Sequence, residues 1–158
     1  MPITKATPNV LSPISTSNTP NSIVLRDSSG GFGAGTITGS TIENGIFTNG
    51  YTEEASSSTI STTTYTIDLA NGTVQLLTLS NASITFTFPT STAGRSFFLT
   101  LKQDATGGRV VTWPASVKWA GGTTPTITAT ASKSDVFSFV CVDGTSWVGI
   151  VVGQNYTI

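Results

Sequence analysis

Apolar and polar positions alternate most clearly in the second half of the chain. Thr66 and Asp68 separate Tyr65, Ile67 and Leu69, while Thr85 and Thr87 separate Ile84, Phe86 and Phe88. Phe97, Leu99 and Leu101 again occupy every second place. A step of two is the period of a half-buried strand, whose successive side chains point to opposite faces. Residues 74–79 predict a further strand, with a bulge where Leu76 and Leu77 interrupt the alternation. Shorter runs follow at 110–113, 117–119 and the Thr-rich 126–130. Val136 to Val142 and Trp147 to Val152 flank Asp143-Gly144, the strongest hairpin signal in the chain. Asn71-Gly72, the Asp104 to Gly108 run and Gly121-Gly122 supply turns between the others. About eight short strands in roughly a hundred residues predict an all-β head over residues 62–158, an antiparallel β-sandwich of jelly-roll type.

The first half follows a different rule. From Thr36 it falls into units of five, TITGS, TIENG and IFTNG, so Ile37, Ile42 and Phe47 recur at a constant step. Such a step matches neither a helix nor a flat strand. It fits a chain that takes a short extended step, turns and repeats, presenting one apolar side chain each time. One copy cannot bury that row. Ile37, Ile42 and Phe47 are therefore expected to be an oligomer interface in a β-rich shaft spanning 23–61, whose polar run from Tyr51 to Ser61 reads as a linker. Residues 1–22 hold Pro2, Pro8, Pro13 and Pro20 among Ser, Thr and Asn, and read as an extended N-terminal arm.

Composition narrows the chemistry. Charged residues are 9% of the 158, and Ser and Thr make up roughly a third. A net charge of -1 provides no basic field for a phosphate backbone, so nucleic-acid binding is not expected. With no His, neither a Ser-His-Asp nor a Cys-His arrangement is available, nor a His-containing zinc site. Cys141 is the only cysteine and lies in an apolar alternating run, where a thiol behaves as a small buried hydrophobe. The first ten residues lack a signal-peptide core and no eighteen apolar residues run together, so neither an export address nor membrane insertion is expected.

Few groups remain as candidates. Gly31, Gly33 and Gly35 superficially match a phosphate loop, but β-like Thr36-Ile37-Thr38 follows where that motif needs a helix. No cofactor is expected. The acidic residues are Asp27, Glu43, Glu53, Glu54, Asp68, Asp104, Asp135 and Asp143, and nothing in their spacing marks a catalytic pair or an oxygen-ligand loop. Asp104 and Asp143 fall in turns, where Asp is the expected residue. No enzyme is expected. Among Trp113, Trp119 and Trp147, core or interface packing is the first reading for each ring. Trp113 and Trp119, in the loops from Trp113 to Pro125, are also the candidate host-contact residues, since exposed rings stack on sugars or anchor a partner.

Two stretches carry a resemblance. Asn21 to Thr38, NSIVLRDSSGGFGAGTIT, resembles a segment of the fibre proteins of tailed bacteriophages. Phe97 to Trp147, with Gln103-Asp104, Gly107-Gly108-Arg109, Trp113-Pro114, Lys118-Trp119, Gly121-Gly122 and Asp143-Gly144, resembles a small C-terminal β-domain of phage virion appendages. The resemblance implies a homotrimeric virion fibre on the particle surface. Its arm, residues 1–22, would dock on other virion proteins, and its tip would contact the host, with a surface glycan as candidate ligand. The alternatives are a capsid or tail decoration protein without receptor binding and a stand-alone carbohydrate-binding module.

Overall fold

Nine strands realise the alternation in a computed structural model of the chain, which describes residues 50–158. They are β1 (Ala55–Ile60), β2 (Thr64–Thr66), β3 (Val74–Leu79), β4 (Ser83–Thr87), β5 (Ser96–Gln103), β6 (Val110–Thr112), β7 (Val117–Trp119), β8 (Ser134–Val140) and β9 (Trp147–Tyr156). Single 3-10 turns occupy Leu69–Asn71 and Ala120–Gly122. The expected arm, and the Ile37, Ile42 and Phe47 row, lie outside the described residues.

The domain is all-β, as the alternation predicts, but its winding differs from the expected antiparallel one. One sheet has the order β1-β3-β5-β8-β9-β7 and the other β2-β4-β6. From β1 to β7 the chain visits the two sheets in turn. Its successive returns are parallel: β1 with β3, β3 with β5, β2 with β4 and β4 with β6. The path is a coil in which a strand of one sheet is the crossover for the other, in the manner of a β-solenoid. Antiparallel pairing is confined to β5–β8 and β8–β9, and β7 adds parallel to β9. The reason for the discrepancy is general. Alternation fixes which face of a strand is buried, not which way its neighbour runs.

Both sheets line one core. Leu77 and Leu79 of β3, Phe97, Leu99 and Leu101 of β5, Phe137 and Phe139 of β8 and Trp147 of β9 point inward from the larger sheet. Ile84 and Phe86 meet them from β4. The rings form a continuous cluster, with Phe97 stacked on Phe139 at 4.9 Å and Phe88 edge-on to Phe139 at 4.8 Å. Removing such a side chain from water contributes about 1.5–3 kcal/mol each. Cys141 is fully buried here, as expected of an inert thiol.

Three local expectations fail, each for a physical reason. The Ser-rich stretch read as linker contains β1, because Ala55 to Ile60 pair one for one with Val74 to Leu79 and the ladder outweighs weak propensity. The bulge in β3 is absent. Its register is uniform on both sides, Leu77 points in and Leu76 out, and the irregularity lies instead at Ser134 to Phe137 against β9. Finally, 126–130 forms no strand. Side chains satisfy its backbone: Thr128 N–H donates to Asp135 at 2.6 Å, and Gln103 and Gln154 donate to the carbonyls of Thr128 and Thr126.

Buried polar groups act as clips between turns of the coil. Gln75, 2% exposed, donates to the carbonyls of Asp68 and Gly72. Gln103, equally buried, donates to the carbonyls of Arg109 and Thr128 and accepts from the Arg109 N–H. Every polar atom of these two amides that enters the interior by such a bond avoids a desolvation penalty of about 1–3 kcal/mol.

Candidate functional site

The sequence directs attention to Trp113 and Trp119, and both are partly buried against the aromatic core, with Trp119 also lining a surface hollow. Trp113 follows β6 and its ring enters the aromatic cluster. It lies 5.1 Å from Phe137, 5.2 Å from Trp119, 5.5 Å from Phe86 and 5.6 Å from Phe139. Trp147 is wholly buried, its indole N–H donating to the Pro89 carbonyl at 3.2 Å. These two rings hold the core together. Trp119, the last residue of β7, packs on Phe137 and Phe139 at 6.0 and 5.7 Å and also reaches the surface. Its ring covers Gly149 of β9, where a β-carbon would sit 2.6 Å from Trp119 Cζ3. A side chain at 149 would displace the indole.

Beyond Trp119 the chain turns away through Ala120–Gly122, helped by left-handed Gly121 (φ 64°) and Gly122 (φ 71°). β9 continues without that neighbour, since the β7–β9 pairing ends at Trp119 and Gly149. The result is a hollow of about 580 Å³ lined by Lys118, Trp119, Thr123, Pro125, Val148 and Ile150. Its walls are mainly apolar, with Thr123 and Lys118 as the polar residues among them. Lys118 Nζ donates to the Ala115 carbonyl at 2.8 Å. Such a place suits an apolar or aromatic group better than a charged one.

The carboxylates serve the backbone. Asp68 caps the first 3-10 turn through the Ala70 N–H. Asp104 pairs with Arg109 at 2.6 Å and accepts the Thr106 and Gly107 N–H groups. The guanidinium, above all, holds its carboxyl below the usual range. Asp143 accepts the N–H groups of Thr145 and Ser146, both at 2.8 Å, which bring its pKa down to about 2. Asp135 is buried and accepts from Thr128 N–H, Asn155 N–H and the Gln154 amide. These four aspartates each hold a turn or strand end, and Glu53 accepts from the hydroxyls of Tyr51 and Thr73. Among the described residues no three His, Cys, Asp or Glu side chains gather as a metal cluster.

The hollow was not visible as such in the sequence. Gly121-Gly122 signalled a turn, but the early end of β7 relative to β9 emerges only from the register.

Geometry alone defines a class: a small all-β domain with polar clips inside, an apolar hollow at a sheet edge, and aspartates committed to turns and strand ends. Residues 49–147 match the family model described as "Putative phage tail fibre C-terminal domain". That match covers well over half of the chain, and the chain belongs to this family. Comparison with curated proteins and with solved structures gave no match.

Proposed function

We propose that the protein is a structural tail-fibre component of a tailed phage, in which residues 1–22 attach to the virion, the segment from residue 23 to the start of the C-terminal domain associates with sister chains as a trimer, and the C-terminal domain contacts the host surface. One observation carries the reading: the family match at residues 49–147 falls on the compact unit Asn49–Ile158. The residue chemistry agrees, because Asp68, Asp104, Asp135 and Asp143 are engaged with the domain's own turns and strand ends and the chain is poor in charge. The mechanism is avidity. Several weak domains held on one shaft, and several fibres on one particle, multiply a modest affinity for a surface.

Light scattering on the full chain tests the shaft. The expected mass is about three times the 16.3 kDa chain, and Ile42→Asp should reduce it. A monomeric wild type would overturn the fibre reading. Host contact is tested by adsorption: purified protein should compete with phage for cells, and Trp119→Ala should weaken competition more than Thr59→Ala.

A second reading, decoration of the virion without receptor binding, draws support from Trp113, whose partly buried ring packs on Phe86 and Phe137 of the domain's own core. Under that reading, particles lacking the protein adsorb normally.

A further inference from the structure

β7 lies beside β9 only from Trp147 to Gly149, yet β9 runs on to Tyr156. The ladders on either side fix what its edge presents further along. Successive residues of a strand turn their N–H and C=O groups to opposite edges. Trp147 N–H donates to the Ser116 carbonyl, on the β7 side. Across the sheet, Cys141 N–H donates to the Arg95 carbonyl, so Phe139 and Phe137 turn to β5 and leave Val140 and Ser138 to hold β9. The register is unbroken from Val148 to Val151. By the same step of two, Gly149 and Val151 present both backbone groups to the β7 side. At Val151 that neighbour has ended. Among the described residues no turn or loop hydrogen bond takes its N–H or its C=O. The residue is 39% exposed, so water serves both groups in the free protein.

The hollow beside Trp119 is the space that β7 vacates. Further along β9, the Gln154 amide ties the strand to the Thr126 carbonyl at 2.7 Å. From Gly149 to Gln154 is roughly 16 Å at strand rise, room for about four extended residues. Its lining takes in both rows of the pleat, Trp119 and Val151 on one and Val148 and Ile150 on the other.

We infer that this slot receives an extended, uncharged polypeptide segment of the host surface, which continues the line of β7 by strand addition. It donates an N–H to the Val151 carbonyl, accepts the Val151 N–H, and sets apolar side chains against Trp119 and Pro125. The inference rests on the host-contact reading and names the partner as a polypeptide rather than a glycan. Hydrogen bonding decides between the two. A sugar ring carries several hydroxyls, each of which loses water on entry and needs a partner. Thr123 and Lys118 are the polar side chains lining the hollow, and the Lys118 amine is turned to the Ala115 carbonyl. A strand brings one N–H and one C=O per residue, the pair that Val151 leaves open. No carboxylate lines the hollow, so a cationic segment would find no counter-charge there.

Binding of the fluorescently labelled full chain to host cells tests this. Protease-shaved cells should lose at least tenfold of the signal, while cells whose glycans are oxidised with periodate should keep it. Val151→Pro removes the donor and spares the β8 ladder, since proline is tolerated where the N–H faces an open edge. It should weaken binding at least tenfold with an unchanged circular-dichroism spectrum. Ser57→Pro is the matched control. Glu54 and Ile60 carbonyls accept from the Val74 and Ser80 N–H groups, so the Ser57 N–H faces away from β3, at the far edge of the sheet. That variant should bind as wild type does. Thr123→Glu, at an exposed lining position, should reproduce the loss and decides the matter if Val151→Pro does not fold. Undiminished binding by a folded Val151→Pro or by Thr123→Glu overturns the slot assignment, as does an equal loss in Ser57→Pro. Signal removed by periodate and kept after protease means a glycan partner, and the inference fails while host contact stands. A Val151→Pro chain of lower light-scattering mass means that a sister chain fills the slot, which also overturns it. If the wild-type chain does not bind cells, the host-contact reading falls and takes the inference with it.

Discussion

The two ends of the six-stranded sheet share a pleat and a core but not an exterior. At the β1 end the outward side chains are Ala55, Ser57 and Thr59, while across β5, β8 and β9 Phe98, Val136, Val140, Val148 and Ile150 stand among Ser96, Thr100, Lys102 and Ser138. Inward, both regions reach the core: Ile60 at the end of β1 is as buried as Phe137 of β8. A chain that had only itself to satisfy would show the same division everywhere, apolar in and polar out. β1 is polar outward, which as an edge strand discourages stray pairing, but its inward row holds Ser56 and Ser58 beside Ile60. The β3–β9 region departs from that division on one side only. The core explains the inward row of both ends, whereas the outward row separates them.

The largest effect should come from the row the two ends share. Trp147 is wholly buried, meets Phe97 at 5.1 Å and donates to the Pro89 carbonyl. Trp147→Ala should destabilise the domain by about 3–5 kcal/mol, as large-to-small aromatic changes in a core do. Urea denaturation followed by circular dichroism measures it. A loss under about 1 kcal/mol would mean that the inward row is not the shared core on which the comparison depends.

Next come the polar clips. Gln103→Leu keeps the volume but removes the donor to the Arg109 and Thr128 carbonyls and the acceptor for the Arg109 N–H. The expected cost is about 2 kcal/mol, because those backbone groups are left in the interior without partners. Gln103→Glu should not rescue it, since a carboxylate cannot donate to the two carbonyls. Thr59→Ala on the outward row of β1 should, by contrast, fall within about 0.5 kcal/mol of wild type.

Sequence reading went as far as each signal was local. Tyr65, Ile84, Phe97 and Phe137 mark strands that exist, and Asp143-Gly144 marks the turn between β8 and β9. Parallel coiling was hidden because the partners of β1 and β3 stand far apart in the chain, and a Ser-rich strand carries no alternation of its own. Thr126 to Thr130 looked like a strand for the opposite reason. β-branched residues were present, but their backbone groups go to Gln103, Asp135 and Gln154, residues that no local pattern connects to them. The tryptophans were ambiguous for a similar cause. An aromatic ring reads the same in sequence whether it fills a core, as Trp147 does, or borders a hollow, as Trp119 does.

The smallest effect is expected in acid, and it should touch one end of the sheet only. Asp104 closes the turn after β5, and Asp143 the turn between β8 and β9. Both carboxyls are held below the ordinary value of 3.8, Asp104 chiefly by Arg109 and Asp143 by the Thr145 and Ser146 N–H groups, which take it to about 2. A group whose folded pKa is depressed binds fewer protons when folded, so it stabilises the fold above pH 4 and loses that contribution as pH falls towards 2. The urea midpoint should therefore be flat from pH 7 to about 4 and decline below it. Asp143→Asn should be less stable than wild type at pH 7 and converge on it near pH 2. Added salt should shrink the Asp104–Arg109 share, since ions screen a surface pair, and leave the Asp143 share largely in place, because its partners are backbone donors. An Asp143→Asn deficit that persists at pH 2 would mean that the turn depends on side-chain shape rather than charge. Acid would then not serve to loosen the β5–β9 end separately from β1.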